Sequence, residues 1–187
     1  LAGFQSSAFA AVGGPNLPPP DDSFDASCVA VSPGAPTHVL LDDEVAEHIP
    51  GCNMAFRHEA LKAISGFDPI FRAAGDDVDL CWRLQNKGYK IGFSPAAVVW
   101  HFRRNTVRDY LKQQRGYGKA ETLLFFKHPS RFNVLGQSRW FGRIYGDLSS
   151  FLASRQQRIY SGVFGRGLFQ TLYQPPPSVL ACLLMTV

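Results

Sequence analysis

The stretch GFDPIFRAAGDDVDLCWRLQNKGYKIGFSPAAVVWH, residues 66–101, decides the reading of this chain. A helix fits Asp77 to Lys87, with Asp76 expected to cap its first turn and Gly88 ending it. The acids Asp76, Asp77 and Asp79 suit the positive end of that helix dipole. Two short strands follow, Tyr89–Phe93 and Ala96–Trp100, separated by Ser94-Pro95. Helix alternating with strand reads as an α/β fold, and ligands of open α/β folds collect beyond the carboxyl ends of strands. His101 follows the second strand at that edge, and Asp76 and Asp77 can project into the same crevice.

Upstream, NMAF after Gly51 predicts a short extended segment and His58–Ser65 a helix stopped by Gly66. Glycine and proline in VGGPNLPPP, residues 12–20, favour turns and extended backbone and exclude a helix there. Residues 26–45 read as an irregular insertion with one strand, His38–Leu41. Downstream, Thr106 and Asp109 form a capping-box-like pair at the head of a helix running towards Phe126, weakened in its middle by Gly116 and Gly118.

With 187 residues, 45% of them hydrophobic, the chain is long and apolar enough for one domain with a real core plus an appendage. The net charge of +4 hides a division. Residues 1–100 hold 12 acids against 6 bases, whereas residues 101–187 hold 3 against 13 and carry 14 of the 24 aromatics. A basic, aromatic tail of this kind suits nucleic acid or an anionic membrane surface. Its last ten residues, SVLACLLMTV, are apolar, but crossing ~30 Å of hydrocarbon takes about 20 residues of helix. They form the start of a membrane segment or a buried terminal helix. Cys28, Cys52, Cys81 and Cys182 form no C-x-x-C pair, which fits reduced thiols in a cytosolic setting.

The chemistry concentrates in GDDVDL. Two adjacent carboxylates push at least one pKa up from ~3.9 while the helix dipole opposes the shift, so the sign of the sum is open at this point. A carboxylate facing a substrate hydroxyl can act as general base, worth about 10² to 10⁴ in rate. A neutral His101 can bind a divalent cation alongside oxygen ligands. The plainer alternatives are a solvated, helix-capping acidic cluster and a histidine at a strand edge. Trp82 and Trp100 read as core or pocket wall, with a second role stacking on a sugar ring. Cys52 and Cys81 read as small buried apolar groups, and Arg103 and Arg104 as phosphate contacts or an exposed basic edge.

IPGCNMAFR, the 66–101 stretch and QQRGYG, in that order, resemble the acceptor half of family 2 glycosyltransferases, from about Val12 to Phe126. The resemblance implies a partial A-type glycosyltransferase fold, with residues 1–128 as the acceptor-side half and 129–187 as a mostly helical or irregular basic tail near a membrane. It implies a preceding nucleotide-binding half with a D-x-D metal motif. Since LAGFQSSAFAAVGGPNLP is similar to the segment directly after that motif in the family, the half is expected to be missing and the chain alone inactive.

Carried over by position, Asp77 is the catalytic base, and Asp76 stands where glutamate is more usual. His101 completes the metal site for Mn or Mg, and Gly51, Cys52 and Asn53 match the loop beside donor sugar and acceptor. QQRGYG is similar to the Q-x-x-R-W motif of processive members, which assigns Gln113 or Gln114, with Arg115, to the diphosphate or acceptor channel. Gly116 in place of tryptophan leaves processive synthesis unsupported.

The expected reaction is transfer of a sugar from a nucleoside diphosphate sugar to an acceptor hydroxyl with inversion, in the cytoplasm at the inner face of a membrane. Two competitors stand beside it. One is a non-enzymatic nucleic-acid- or membrane-binding module, although the tail carries no named nucleic-acid motif. The other is a metal-dependent hydrolase built on Asp76, Asp77 and His101, which would need ligands that the sequence does not mark.

Overall fold

The computed structural model describes residue 4, residues 8–31 and residues 38–141. Seven short strands are present among these: β1 (Ala11–Gly13), β2 (Asn16–Leu17), β3 (Val39–Leu40), β4 (Val45–His48), β5 (Met54–Phe56), β6 (Ile91–Phe93) and β7 (Val99–Trp100). The helices are α1 (Phe24–Val31), α2 (His58–Ala63), α3 (Asp76–Asn86) and α4 (Val107–Lys127). Five strands form one mixed sheet in the order β3-β4-β6-β1-β5, and β2 and β7 form a separate parallel pair. Only β1 and β6 run parallel in the larger sheet. The partial α/β fold expected from the sequence is therefore the fold observed.

One helix organises both cores. Positions 77, 80, 81 and 84 of α3 share a face at helical spacing, and Leu80, Cys81 and Leu84 on it have no exposed surface. They pack with Ala11, Ala46 and Ile91 of the sheet and with Ile49 just after β4. Full burial of a leucine or isoleucine contributes about 1.5–3 kcal/mol relative to exposure, so this seam fixes α3 on the sheet. Because Asp77 lies on the same face one turn earlier, it is directed at the end of β4 and the turn after it. Val78 and Trp82, on an adjacent face, belong to a second cluster with Phe71, Leu124 and Phe132.

The local signals read from the sequence hold closely at several places. Thr106 caps α4, its Oγ1 accepting from the Asp109 N–H at 3.1 Å and donating to Asp109 Oδ2 at 2.8 Å. Four differences have physical reasons. The cap of α3 is Gly75 at φ 82°, and Asp76 is the first helical residue with no capping bond. A side chain at position 75 would meet Ala120 at 3.0 Å and Phe71 at 3.2 Å, so tight packing of α4 selects glycine there. Ser23 caps a helix that runs into the expected irregular insertion, α1, its Oγ accepting from the Ala26 N–H at 3.2 Å. Trp100 is 60% exposed, outside the core.

The fourth difference concerns the tail. Two residues of 129–141 pack on the domain, Phe132, which is buried, and Trp140, against Trp82 at a centroid distance of 5.2 Å, while Val134, Leu135 and Phe141 are exposed. Arg131 holds them there, donating to Glu47 Oε1 at 3.2 Å and Gln85 Oε1 at 3.0 Å and lying over the Trp82 ring. Residues on the two sides of position 128 are thus in contact. The remainder of the tail, including the apolar end, lies outside the described residues. Among the described residues no helix is long and apolar enough to cross a membrane.

Candidate active site

A cleft of about 420 Å³ opens between the start of α3, the turn at residues 50–52 and one face of α4. Asp76, Asp77, Gly51, Cys52, Trp82 and His101 all line it, so six residues selected from the sequence come together in space. Asp77 is the best anchored. Its Oδ2 accepts from the Gly51 N–H at 2.9 Å, and its Oδ1 accepts from the Val78 N–H at 2.8 Å. His48 Nε2 stands 3.6 Å from Oδ2.

The two carboxylates are driven apart. Burial raises the Asp77 pKa, but the neighbouring His48 and the Gly51 and Val78 N–H groups outweigh it and hold the carboxyl at about 2. Asp76 shifts upward instead, from burial and then from the charge of Asp77. Asp77 is thus ionised throughout the neutral range, and Asp76 is the more easily protonated of the pair.

His101 also lines the cleft, but its Nδ1 accepts from Arg103 Nη1 at 2.6 Å. Burial and the charges of Arg103 and Arg104 lower its pKa, so it is neutral. A neutral imidazole has one acceptor nitrogen, and here that nitrogen is engaged by arginine. Among the described residues no group of three His, Cys, Asp or Glu can hold a metal ion. In this arrangement these residues do not fit a divalent cation by themselves. Arg103 is itself held by Asn16, donating from Nη2 to Oδ1 at 2.7 Å, which ties the end of β7 to β2.

Three selected residues sit elsewhere. The Asn53 amide donates to the carbonyls of Pro15 and Ala97, at 3.0 and 2.6 Å, and braces the β2 and β7 loops outside the cleft wall. On α4 it is Gln113 that lines the cleft, not Gln114 or Arg115. At about 100° per residue, Arg115 lies roughly 200° around the helix from Gln113 and is exposed. Trp82 forms cleft wall but has no exposed surface, so its indole serves as packed support and offers no free face for stacking.

Other residues of the site gave no sequence signal. Tyr117, Ala120, Glu121 and Leu124 continue from Gln113 as one helical stripe of α4 along the cleft. His48 and Trp140 line it from β4 and from the packed part of the tail, with their rings 5.6 Å apart. The sequence marks α4 as a helix but not which of its sides faces inward.

A second cluster sets the distance between the walls. Asp79, without exposed surface, accepts from Arg83 Nε at 2.7 Å and pairs with Lys127 Nζ and His128 Nε2, each at 2.8 Å. Lys127 reaches on to Asp68 Oδ2 at 2.5 Å. Asp79, which the plainer alternative leaves in a solvated helix start, is buried and tethers α3 to the end of α4.

The site is thus a carboxylate pair with separated proton affinities, at a helix start in a mixed α/β fold. The chain matches glycosyl transferase family group 2 over residues 29–183 and belongs to that family. It is 32% identical over 92 residues to a pre-mycofactocin glycosyltransferase of Mycobacterium tuberculosis, covering 49% of this chain and 19% of the relative. It is 28% identical over 126 residues to the probable glycosyltransferase YdaM of Bacillus subtilis, covering 67% and 30%. The succinoglycan biosynthesis protein ExoA of Rhizobium meliloti shares 32% over 83 residues, covering 44% and 24%. The chain thus spans between a fifth and a third of the length of these relatives. No solved structure matches it.

Proposed function

We propose that this chain supplies the acceptor side of an inverting sugar transfer from a nucleoside diphosphate sugar to a hydroxyl, with Asp77 as general base. The observation that supports it is the anchoring of Asp77: its carboxylate is held in the cleft by the Gly51 and Val78 N–H groups and remains ionised at neutral pH. An oriented, ionised carboxylate can take the proton of an acceptor hydroxyl as the oxygen attacks the anomeric carbon and the diphosphate leaves.

The raised pKa of Asp76 favours a second assignment, because a base with a proton affinity closer to the working pH transfers protons more effectively. Asp77→Asn and Asp76→Asn in the full-length enzyme separate the two. With Asp77 as base, Asp77→Asn lowers transfer by about 10² to 10⁴ while donor binding persists, and Asp76→Asn does less harm. The reverse order moves the base to Asp76.

The proposal extends to location at the cytoplasmic face of a membrane. Trp100, Phe102, Val107 and Leu111 are exposed and interleaved with Arg103, Arg104, Arg108 and Lys112, a combination at home among anionic headgroups. Flotation with anionic but not neutral liposomes at low salt is the expected result; failure to float with either removes this part.

A further inference from the structure

The cleft is not chemically uniform along its length. The inward stripe of α4 from Gln113 to Leu124 spans ~16 Å at 1.5 Å per residue. Its Gln113–Tyr117 end shares the cleft with Cys52 and His101, and burial, then the charge of Asp77, raises the Tyr117 pKa. Its Leu124 end lies with Phe132 and Trp140. Asp77 stands between the ends. A single imidazole, that of His48, separates its carboxylate from the Trp140 ring, at 3.6 Å on one side and 5.6 Å between centroids on the other.

Trp140 is half-buried, and its Nε1 donates to Ser138 Oγ at 3.2 Å, so its polar edge is satisfied within the protein. Trp82 at 5.2 Å supports one side of it. This end of the cleft is lined by the half-buried Trp140 and Val78, backed by the buried Phe132, Leu124 and Ala120, and the acids of the cleft are Asp76, Asp77 and Glu121.

We infer that the Trp140 end is the acceptor subsite and that the acceptor is an uncharged compound carrying its hydroxyl on an aromatic or aliphatic body. The body lies against Trp140, Phe132 and Leu124, and the hydroxyl reaches Asp77. An anionic acceptor would approach three carboxylates, which disfavours it, whereas an aryl body gains stacking and burial. Trp140 is then a specificity-determining residue. This inference rests on the reading of Asp77 given above.

The test uses binding, which needs no turnover. 4-Hydroxyphenylacetamide, its anionic twin 4-hydroxyphenylacetate and methyl glucoside are titrated into the full chain, with the Trp140 indole N–H signal followed by NMR. The amide is expected to move that signal and to bind about tenfold more tightly than the acetate. Trp140→Ala should weaken amide binding by about tenfold, and Trp140→Phe, which keeps an aromatic face, should recover most of it. Equal binding of amide and acetate, amide binding indifferent to both Trp140 variants, or stronger movement of the indole signal by methyl glucoside overturns the inference. So does the absence of amide binding up to its solubility limit. Loss of the proposed base assignment looks different: Asp77→Asn would then leave transfer intact while amide binding still depends on Trp140.

Discussion

Replacing Asp79 by asparagine removes the charge at the tether between α3 and α4 while keeping its shape. The carboxylate has no exposed surface and faces Arg83, Lys127 and His128 at 2.7, 2.8 and 2.8 Å. Burial pushes its pKa up, but hydrogen bonds from His128, Lys127 and Arg83 more than reverse this and hold it at about 2, against 3.8 for a free carboxyl. At 1.36 kcal/mol per pKa unit, the folded protein favours the ionised form by about 2 to 3 kcal/mol. Asparagine forfeits that stabilisation and sets an amide against cationic donors, so a cost of about 3 to 5 kcal/mol is expected at neutral pH. Because the native pKa is depressed, this stabilisation is complete above the unfolded value and is lost as pH falls through the native one. The deficit of Asp79→Asn relative to wild type should therefore be full at pH 7 and shrink between about pH 4 and pH 2. Asp77 has the same depressed value but is present in both proteins, so its contribution cancels. Urea denaturation of both proteins across this pH range measures the difference. Equal stabilities at pH 7, or a deficit that stays constant down to pH 2, would refute the account of Asp79 as a charged tether.

Three further outcomes are expected from the same geometry. Gly75→Ala should destabilise the protein by about 1–2 kcal/mol in thermal melts, because the residue holds φ at 82° and a Cβ would press on Ala120 and Phe71. Arg131→Met should cost about 2 kcal/mol and shift tryptophan fluorescence, since Glu47 loses a close cation and Trp82 the guanidinium over its ring; an unchanged emission spectrum would show that residues 129–141 do not depend on it. In the full-length enzyme, the acid limb of the transfer rate should lie below the ordinary carboxylate range if Asp77 is the base, because its carboxyl is held at about 2. A half-maximal rate at or above the ordinary value would instead report Asp76, whose pKa is raised by burial and by Asp77.

Much of this site was legible before any fold was known, and the reason is local. Short-range rules place Thr106 and Asp109 at a helix start, and put Asp77, Leu80, Cys81 and Leu84 on one face of α3, because both patterns depend on residues three or four apart. The order of GCN, GDDVDL and the strand ending at His101 carried the family and the acidic pair. Tertiary structure alone decided the rest. The cap at Gly75, the burial of Asp79 and the inward turn of Gln113 in place of Arg115 all depend on where α4 lies, which no local pattern specifies. The same holds for Trp140, placed beside His48 by Arg131 reaching Glu47 across 84 positions of sequence. The sequence named the groups able to do the chemistry; long-range packing chose their neighbours, and those neighbours separate the proton affinities of Asp76 and Asp77.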